Sequence, residues 1–436
     1  MDRARYTAAK ALIRQEQGGY SNLVLDAALK KQELTPQQAA FCSSLFYGTL
    51  ERLLTLDARL APFLKKPIEK LDPPVRAVLR SGLYQVLYME VPPAAAVNES
   101  VKLMRHLGKT SASGMVNAVL RRACQGGPEP EYRDETHRLS VEYSVGRPIV
   151  ELLQKAYPDR CEEILKASFA RPQLSLRVNT LKTTPESLTR ELAAEGAETR
   201  PGLVPGSLFA QVKGSVTQLE TFRQGEFHVQ GQASQYAVAC LDPREGQRAA
   251  DLCAAPGGKS ITIAQLMHNT GRLFSCDLQA NRLRLIRSGL ERCGISNTVV
   301  YHGDASEFVE EFCGCDRVLC DVPCSGLGVL AQKPDIRYKG LEELEGLCAI
   351  QRAILKNAAR YVKPGGKLVY STCTLNPAEN EEAVREFLEG NEEFSLCPPP
   401  FALPTGCSGP WGTTIFPDGE GVDGFFVAIL QRRKST

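Results

Sequence analysis

The second half of the chain repeats one pattern, a short apolar run followed by a loop and a helical stretch. The pattern starts near Phe227, and apolar runs follow at residues 248–252, 271–276 and 298–301. A helical stretch separates each run from the next. Strands that alternate with helices in this way form a doubly wound α/β sheet covered on both faces. The sequence therefore predicts a large α/β domain over residues 226–436.

Two cysteines follow apolar runs of this domain. Cys324 lies in the motif D-V-P-C-S-G-L-G after residues 317–320, and Cys373 lies in S-T-C-T-L-N-P after residues 367–370. Loops at the carboxyl ends of parallel strands form the active crevice of such sheets. Two thiols in these loops favour covalent catalysis. Other cysteines fall within apolar stretches and are predicted to be core residues: Cys240, Cys276, Cys320 and Cys348.

A glycine-containing loop joins the first apolar run to a helix. Its residues are predicted to bind a cofactor: Cys253, Ala254, Ala255, Pro256, Gly257, Gly258 and Lys259. Asp277, twenty residues after Gly257, stands where an acid binds ribose hydroxyls, and Asp304 could accept from an adenine amino group. The spacing is neither that of a P-loop nor G-x-G-x-x-G, which favours S-adenosylmethionine over NAD. A plain turn and helix-capping acids are the structural alternatives.

Residues 1–125 are predicted to be entirely helical. Thr35 begins a capping box with proline at the next position, and Gly108 follows an apolar periodicity as a stop signal. Residues 1–128 carry 18 Lys and Arg against 10 Asp and Glu, whereas the remainder carries 34 against 40. A basic helical bundle is expected to meet a polyanion, although a solvated basic surface is the alternative.

A breaker cluster at residues 126–130 predicts a linker between two domains. Beyond it, residues 149–165 look helical, residues 174–179 alternate like a strand, and residues 185–195 look helical again. We therefore expect a small α+β domain over residues 129–225.

Composition narrows the class of protein. The 436 residues are 43% apolar and 23% charged, as in soluble globular proteins, and no apolar run is long enough to span a membrane. The start of the chain lacks the apolar stretch of a secretory signal. We expect a cytoplasmic protein, the 15 cysteines reduced, and no metal site because zinc-ligand spacings are absent.

The motifs together resemble those of the RNA cytosine-5 methyltransferases of the Nop2/Sun (Fmu) family. F-x-x-Q-x-Q-A-S at 227–234 and K-P-D-I-R at 333–337 extend the likeness. The N-terminal part resembles the NusB-like RNA-binding fold through residues 80–85, 97–101 and 116–121. This fusion is typical of bacterial methyltransferases of small-subunit (16S) ribosomal RNA. Departures from the family pattern occur at Gly146-Arg147-Pro148-Ile149 and at Tyr338, positions suspected of touching RNA.

The resemblance implies an α/β Rossmann-like, S-adenosylmethionine-dependent methyltransferase domain and a role for each site residue. Cys373 would attack C6 of the cytosine and Cys324 would assist release, an order that the residues alone do not give. Asp321 would bind the cytosine edge and the cofactor amino group, and Lys259 would stabilise charge near the base.

The expected substrate is an unpaired cytosine of ribosomal RNA, and the protein is expected to be a monomer. Two alternatives stay open. One is an enzyme of the same class acting on transfer RNA. The other is an RNA-binding assembly or antitermination factor with an inactive methyltransferase domain.

Overall fold

The protein folds into two compact units. A computed structural model describes residues 2–171 and 173–434, so the ends of the predicted domain ranges at 1 and 436 lie outside the described residues. The helical unit holds the chain up to residue 155 together with residues 333–340, and the sheet unit holds residues 156–332 and 341 onward. The predicted domain boundaries at 128 and 225 stay predictions; the division into two compact units falls at other positions and does not test them.

The helical unit is built from α-helices, as predicted for residues 1–125. Their bounds are α1 Arg3–Gln15, α2 Ser21–Lys30, α3 Pro36–Glu51, α4 Leu53–Leu60, α5 Pro73–Tyr88, α6 Pro93–His106, α7 Ser113–Cys124, α8 Glu135–Glu142 and α9 Arg147–Ala156.

Local chemistry sets the ends of these helices. Thr35 Oγ1 accepts from the N–H of Gln38 while Gln38 Oε1 accepts from the N–H of Thr35, which confirms the predicted capping box of α3. Gly108, two residues beyond the end of α6, has φ of +72°, a left-handed conformation that favours glycine. Apolar side chains at helical spacing on α5, such as Leu79 and Leu83, are buried and hold the bundle together.

A short segment from the second half of the chain completes the helical unit. Residues 333–340 contain a 3₁₀ helix, Pro334–Tyr338, and the Arg337 side chain is fully buried. Gly146 N–H donates to the Arg337 carbonyl at 2.6 Å, and the Tyr338 hydroxyl donates to the Leu50 carbonyl at 2.7 Å. The two departures from the family pattern therefore contact internal partners, and Tyr338 acts as a structural link of this unit.

A small antiparallel sheet opens the sheet unit in the order β2-β3-β1-β4. Its elements are α10 Cys161–Ala167, β1 Leu174–Val178, α11 Pro185–Ala194, β2 Glu198–Pro201, β3 Ser207–Gln211, α12 Glu220–Arg223 and β4 Phe227–Val229.

Two details of this region differ from the sequence predictions. The helix predicted over residues 149–165 is interrupted between α9 and α10, because Pro158 disfavours helical geometry at the residue before it. The run near Phe227, predicted to open the large domain, instead pairs with β1 in the small sheet. The change to the large sheet therefore falls after Val229.

The large sheet contains nine described strands. Its elements are α13 Gln232–Leu241, β5 Arg248–Asp251, α14 Gly258–Leu266, β6 Arg272–Asp277, α15 Ala280–Cys293, β7 Thr298–His302, β8 Cys315–Asp321, α16 Leu344–Tyr361, β9 Val362–Thr372, α17 Glu381–Glu389, β10 Phe394–Cys397, β11 Gly406–Gly409, β12 Gly412–Ile415 and β13 Phe425–Arg432.

Strand order places the functional loops. The order is β11-β12-β13-β9-β8-β5-β6-β7, with β10 also paired to β13. Strands β7, β6, β5, β8 and β9 are parallel, and β13 joins them antiparallel. The predicted Rossmann-like fold is confirmed in the parallel part, and the antiparallel extension makes the sheet mixed. The chain order reverses between β5 and β8, where ligands bind in open α/β sheets.

Side chains of the parallel strands alternate between two cores. Ala250, Phe274 and Val318 pack on one face of the sheet, and neighbouring positions such as Ala249 and Leu319 pack on the other. Within the described ranges, none of the helices has the length and apolar character needed to cross a membrane.

Candidate active site

The register of β8 and β9 brings the two cysteine motifs together. Asp321, the last residue of β8, pairs with Ser371 of β9. Ser371 Oγ donates to Asp321 Oδ1 at 2.8 Å. Cys324 and Cys373 follow these paired positions by three and two residues, so their loops leave the sheet side by side.

The two thiols of these loops are in direct contact. Cys324 Sγ lies 3.0 Å from Cys373 Sγ, and the backbone N–H of Cys373 donates to Cys324 Sγ at 3.3 Å. Both residues are partly exposed, whereas Cys240, Cys276, Cys320 and Cys348 are buried as predicted. The pair can therefore meet a ligand from the loop side of the sheet.

The contact changes the acidity of the first thiol. The hydrogen bond with Cys373, together with burial, raises the pKa of Cys324 well above the usual range of a thiol. Cys324 therefore stays protonated at neutral pH while this contact is in place, and a protonated thiol is a poor nucleophile.

Glycine backbone fixes the position of the second cysteine. Gly328 N–H donates to the Cys373 carbonyl at 3.0 Å, and Gly424 N–H donates to the Gly328 carbonyl at 2.8 Å. A Cβ at Gly328 would overlap the carbonyl oxygen of Gly424. Only glycine therefore allows these three backbone segments to meet.

An ion pair joins the cofactor loop to the first cysteine motif. Lys259 Nζ lies 2.6 Å from Asp321 Oδ2 and 3.2 Å from Ser234 Oγ. Burial lowers the pKa of Lys259, but the Asp321 carboxylate and the nearby Asp251 and Cys373 together raise it by more, so the net pKa lies above its usual value. Lys259 is therefore a fixed positive charge beside the cysteine loops.

The predicted cofactor loop is braced by Asp277. Its Oδ2 accepts from the N–H of Ala255, and its Oδ1 accepts from the N–H of Gln279, both at 3.0 Å. Gly257 has φ of +109°, and a Cβ there would lie 3.1 Å from the backbone of Ile286. The loop is thus packed closely against α15, and it leads into the first turn of α14, whose free N–H groups can receive an anion.

Asp304 lies beyond the end of β7, next to the end of β6. Gly303 N–H donates to the Asp277 carbonyl at 3.3 Å, which links the two loops. Asp304 Oδ1 accepts from the N–H and the hydroxyl of Ser306. The loops after β6 and β7 therefore offer carboxylate acceptors at two neighbouring strand ends, which suit the hydroxyl and amino groups of a nucleoside cofactor.

Two residues where β5 meets the loop have altered acidity. Burial raises the pKa of Asp251, at the end of β5, to about 7, and its Oδ1 is buried without a protein partner within residues 2–171 and 173–434. Its Oδ2 accepts from Ser260 Oγ at 2.6 Å. Burial also raises the pKa of Cys253 well above its usual range, which makes Cys253 a poor nucleophile.

Sequence reasoning missed the buried carboxylate of Glu379. This residue follows Cys373 by six positions and is fully buried. The second cysteine motif ends at Pro377, so Glu379 lies just outside it. A glutamate between two asparagines, Asn376 and Asn380, just before a helix start was the available signal.

Three family models match consecutive parts of the chain. The NusB family matches residues 2–125, the RsmF/B-like ferredoxin-like domain matches residues 149–216, and the 16S rRNA methyltransferase RsmB/F model matches residues 238–431. A probable ribosomal RNA small subunit methyltransferase B of Bacillus subtilis is 35% identical, with 98% of this chain and 98% of that protein aligned.

A second curated relative and a solved structure are also similar to this chain. The ribosomal RNA small subunit methyltransferase B of Vibrio cholerae is 31% identical over 98% of this chain and 97% of its own length. A crystal structure of a methyltransferase homolog from Pyrococcus horikoshii superposes with a TM-score of 0.60 at 27% identity, covering 68% of this chain and 98% of that one.

Fold and site together define a Rossmann-like methyltransferase that carries a NusB-type helical domain. The alignment with the Bacillus subtilis relative over 98% of this chain then identifies the family within this class. The chain belongs to the RsmB/F family of small-subunit ribosomal RNA methyltransferases.

Proposed function

We propose that this protein transfers a methyl group from S-adenosylmethionine to C5 of an unpaired cytosine in small-subunit ribosomal RNA, through a covalent bond between Cys373 and C6. The observation that carries the proposal is the 3.0 Å contact between the sulfurs of Cys324 and Cys373 at adjacent strand ends. Two cooperating thiols suit a reaction in which one sulfur must add to the base and then leave.

The cofactor loop supplies binding groups for S-adenosylmethionine. Asp277 fits the ribose hydroxyls, Asp304 fits the adenine amino group, and the first turn of α14 fits the carboxylate. The loop from Cys253 to Lys259 lines this site. Asp321, which contacts Lys259 at the end of the loop, would accept a hydrogen bond from the amino group of the cofactor. When bound, S-adenosylmethionine supplies an electrophilic methyl group on a sulfonium.

Attack by Cys373 activates the base. C5 of cytosine is a poor nucleophile, and a bond from Cys373 Sγ to C6 moves electron density onto C5. Asp321 holds the cytosine edge and favours protonation at N3. Lys259, fixed 2.6 Å from Asp321, stabilises the charge that develops beside the base.

Release by Cys324 completes the reaction. A base must remove the proton from C5, so that the electrons of the C5–H bond restore the C5–C6 double bond and Cys373 leaves as a thiolate. Before attack, the hydrogen bond with Cys373 raises the pKa of Cys324 and keeps it protonated. After attack, Cys373 Sγ is bonded to C6 and no longer shares a hydrogen bond with Cys324. The Cys324 thiol then gives its proton to water, and the resulting thiolate takes the proton from C5.

The helical unit supplies RNA affinity in this proposal. Residues 1–128 carry eight more Lys and Arg than Asp and Glu. Such an excess attracts phosphate groups whatever the RNA sequence. The thiols can reach C6 only if the target base is unstacked, so a loop or an exposed helix end is the expected substrate.

Bisulfite sequencing of total RNA tests the proposal. Cells that lack the gene should lose one protected cytosine in small-subunit ribosomal RNA. The wild-type gene and a Cys407→Ser variant should restore it, since Cys407 is exposed and lies outside the site. A Cys373→Ser variant should not restore it. A protected cytosine that disappears from transfer RNA instead would favour the alternative substrate, and an unchanged set of protected cytosines would contradict the proposal.

A further inference from the structure

Glu379 is a carboxylate buried behind the two cysteine loops. Its side chain accepts four hydrogen bonds: from Ser325 N at 2.8 Å, Ser325 Oγ at 2.5 Å, Gln351 Nε2 at 2.9 Å and Asn376 Nδ2 at 3.0 Å. All four donors are neutral groups. A buried charged acceptor depends on such bonds, because it has lost its water.

The donors come from both sides of Cys324. Ser325 is the residue after Cys324, and Pro323 is the residue before it. Gln351 Nε2 donates to the Pro323 carbonyl at 2.8 Å as well as to Glu379. Glu379 and Gln351 therefore fix the backbone on either side of the thiol.

The hydrogen bonds around Glu379 also link the two cysteine loops. Ser325 Oγ lies 2.7 Å from Thr374 Oγ1, and Thr374 is the residue after Cys373. Asn376, which donates to Glu379, belongs to the second cysteine motif. The two cysteine loops are thus joined by hydrogen bonds that converge on one carboxylate.

We infer that Glu379 is a positioning residue that holds Cys324 in place for removal of the C5 proton, an inference that rests on the proposed function. An amide at this position could not accept from all four donors, because its NH₂ group would face another donor. The backbone around Cys324 would then shift, while the Gly328 contact to the Cys373 carbonyl would remain. Attack would survive and release would slow.

A single-turnover assay with denaturing gels tests this inference. Glu379→Gln should form the protein–RNA adduct and transfer the methyl group, but the rate constant for adduct breakdown should fall by about tenfold or more. Cofactor affinity should stay within about twofold of wild type, since the hydrogen bonds that the described residues donate to the Glu379 side chain come from outside the cofactor loop. Glu382→Gln, an exposed neighbour on α17, is the matched control and should behave as wild type.

Ser325→Ala gives a second, milder variant in case Glu379→Gln does not fold. It removes the hydroxyl bonds to Glu379 and Thr374 and leaves the backbone N–H bond. Breakdown of its adduct should slow in the same direction. A merely structural role would lower the amount of folded enzyme, which changes the amplitude and leaves the rate constant of breakdown unchanged.

Parallel samples separate the possible failures. A Cys324→Ala variant that forms no adduct would overturn the proposed function and this inference with it. If Cys324→Ala traps the adduct but Glu379→Gln and Ser325→Ala release RNA at the wild-type rate, only the inference fails. It fails also if Glu379→Gln loses methyl transfer without an adduct, because the carboxylate would then position Cys373.

Discussion

Lys259 Nζ lies 2.6 Å from Asp321 Oδ2, so a largely buried ion pair ties the cofactor loop to the motif that contains Cys324. The other carboxylate oxygen of Asp321 accepts from Ser371, two residues before Cys373. One acid therefore contacts the cofactor loop and both cysteine-bearing strands. In the proposed mechanism, this arrangement connects the residues expected to bind the cofactor with those expected to bind the base.

Breaking this pair should impair activity and stability together. Lys259→Met leaves the Asp321 carboxylate uncompensated in a largely buried place, which should cost about 1–3 kcal/mol of unfolding free energy. A double-mutant cycle of kcat/KM measures the coupling of the two side chains. The double variant Lys259→Met/Asp321→Asn should lose less transition-state stabilisation than the sum of the losses in the two single variants.

The matched control is the exposed pair of Lys30 and Asp26, with Nζ 2.7 Å from Oδ2. Lys30→Met should change the unfolding free energy by less than about 1 kcal/mol, because exposed pairs contribute little. Additive losses in the cycle at Lys259 and Asp321 would show that the two side chains act independently.

The carboxylate of Asp277 should decide cofactor affinity. Asp277→Asn keeps one acceptor for the Ala255 N–H but loses the charge, and binding of S-adenosylmethionine should weaken by about 1–3 kcal/mol. Isothermal calorimetry measures the change, with Asp418→Asn as a control at an acid of the loop before β13. An Asp277→Asn variant that folds and binds as tightly as wild type would remove Asp277 from the cofactor site.

Acid should destabilise the fold through His228. Burial, with the nearby Arg177 charge, lowers the pKa of His228 to about 3 from the usual value near 6.5. The unfolded chain therefore binds more protons between these values, and stability is lost as the pH falls below about 6.5.

Chemical denaturation at pH 7 and pH 5 measures this loss. Wild type should lose about 2 kcal/mol more between the two values than His228→Gln, which cannot take up the proton. Equal losses in the two proteins would mean that His228 titrates alike in the folded and unfolded chains.

Exposed basic side chains of the helical unit should set the salt dependence of RNA binding. Arg105 and Arg121 are exposed on α6 and α7. Each replacement by alanine should weaken binding at low salt, and removal of one phosphate contact should reduce the slope of log K against log salt by about 1. Arg385→Ala, an exposed arginine of α17 in the sheet unit, should leave the slope unchanged. Equal effects at all three positions would argue against a special role of the helical unit.

Local signals predicted much of this structure. The capping box at Thr35, the stop at Gly108 and the strands before Cys324 and Cys373 depend on neighbouring residues, and the structure has them where the sequence placed them. The same alternation of strands and helices predicted the parallel part of the large sheet.

Long-range pairing explains what the sequence did not predict. β4 is apolar at Phe227, and its sequence is compatible with either sheet. Its antiparallel pairing with β1 places it in the small sheet. Residues 333–340 join the helical unit through contacts such as Gly146 to Arg337, which lie far apart along the chain. Glu379 was missed for a similar reason, since its donors Ser325 and Gln351 come from distant segments.

Covalent trapping tests the central claim, the division of work between Cys373 and Cys324, most directly. Each cysteine is replaced by alanine in turn, the protein is incubated with RNA and S-adenosylmethionine, and the mixture is separated on a denaturing gel. Cys324→Ala should accumulate a protein–RNA adduct that has received the methyl group, and Cys373→Ala should form none. An adduct with Cys373→Ala and not with Cys324→Ala would reverse the two roles, and an adduct with neither would contradict covalent catalysis.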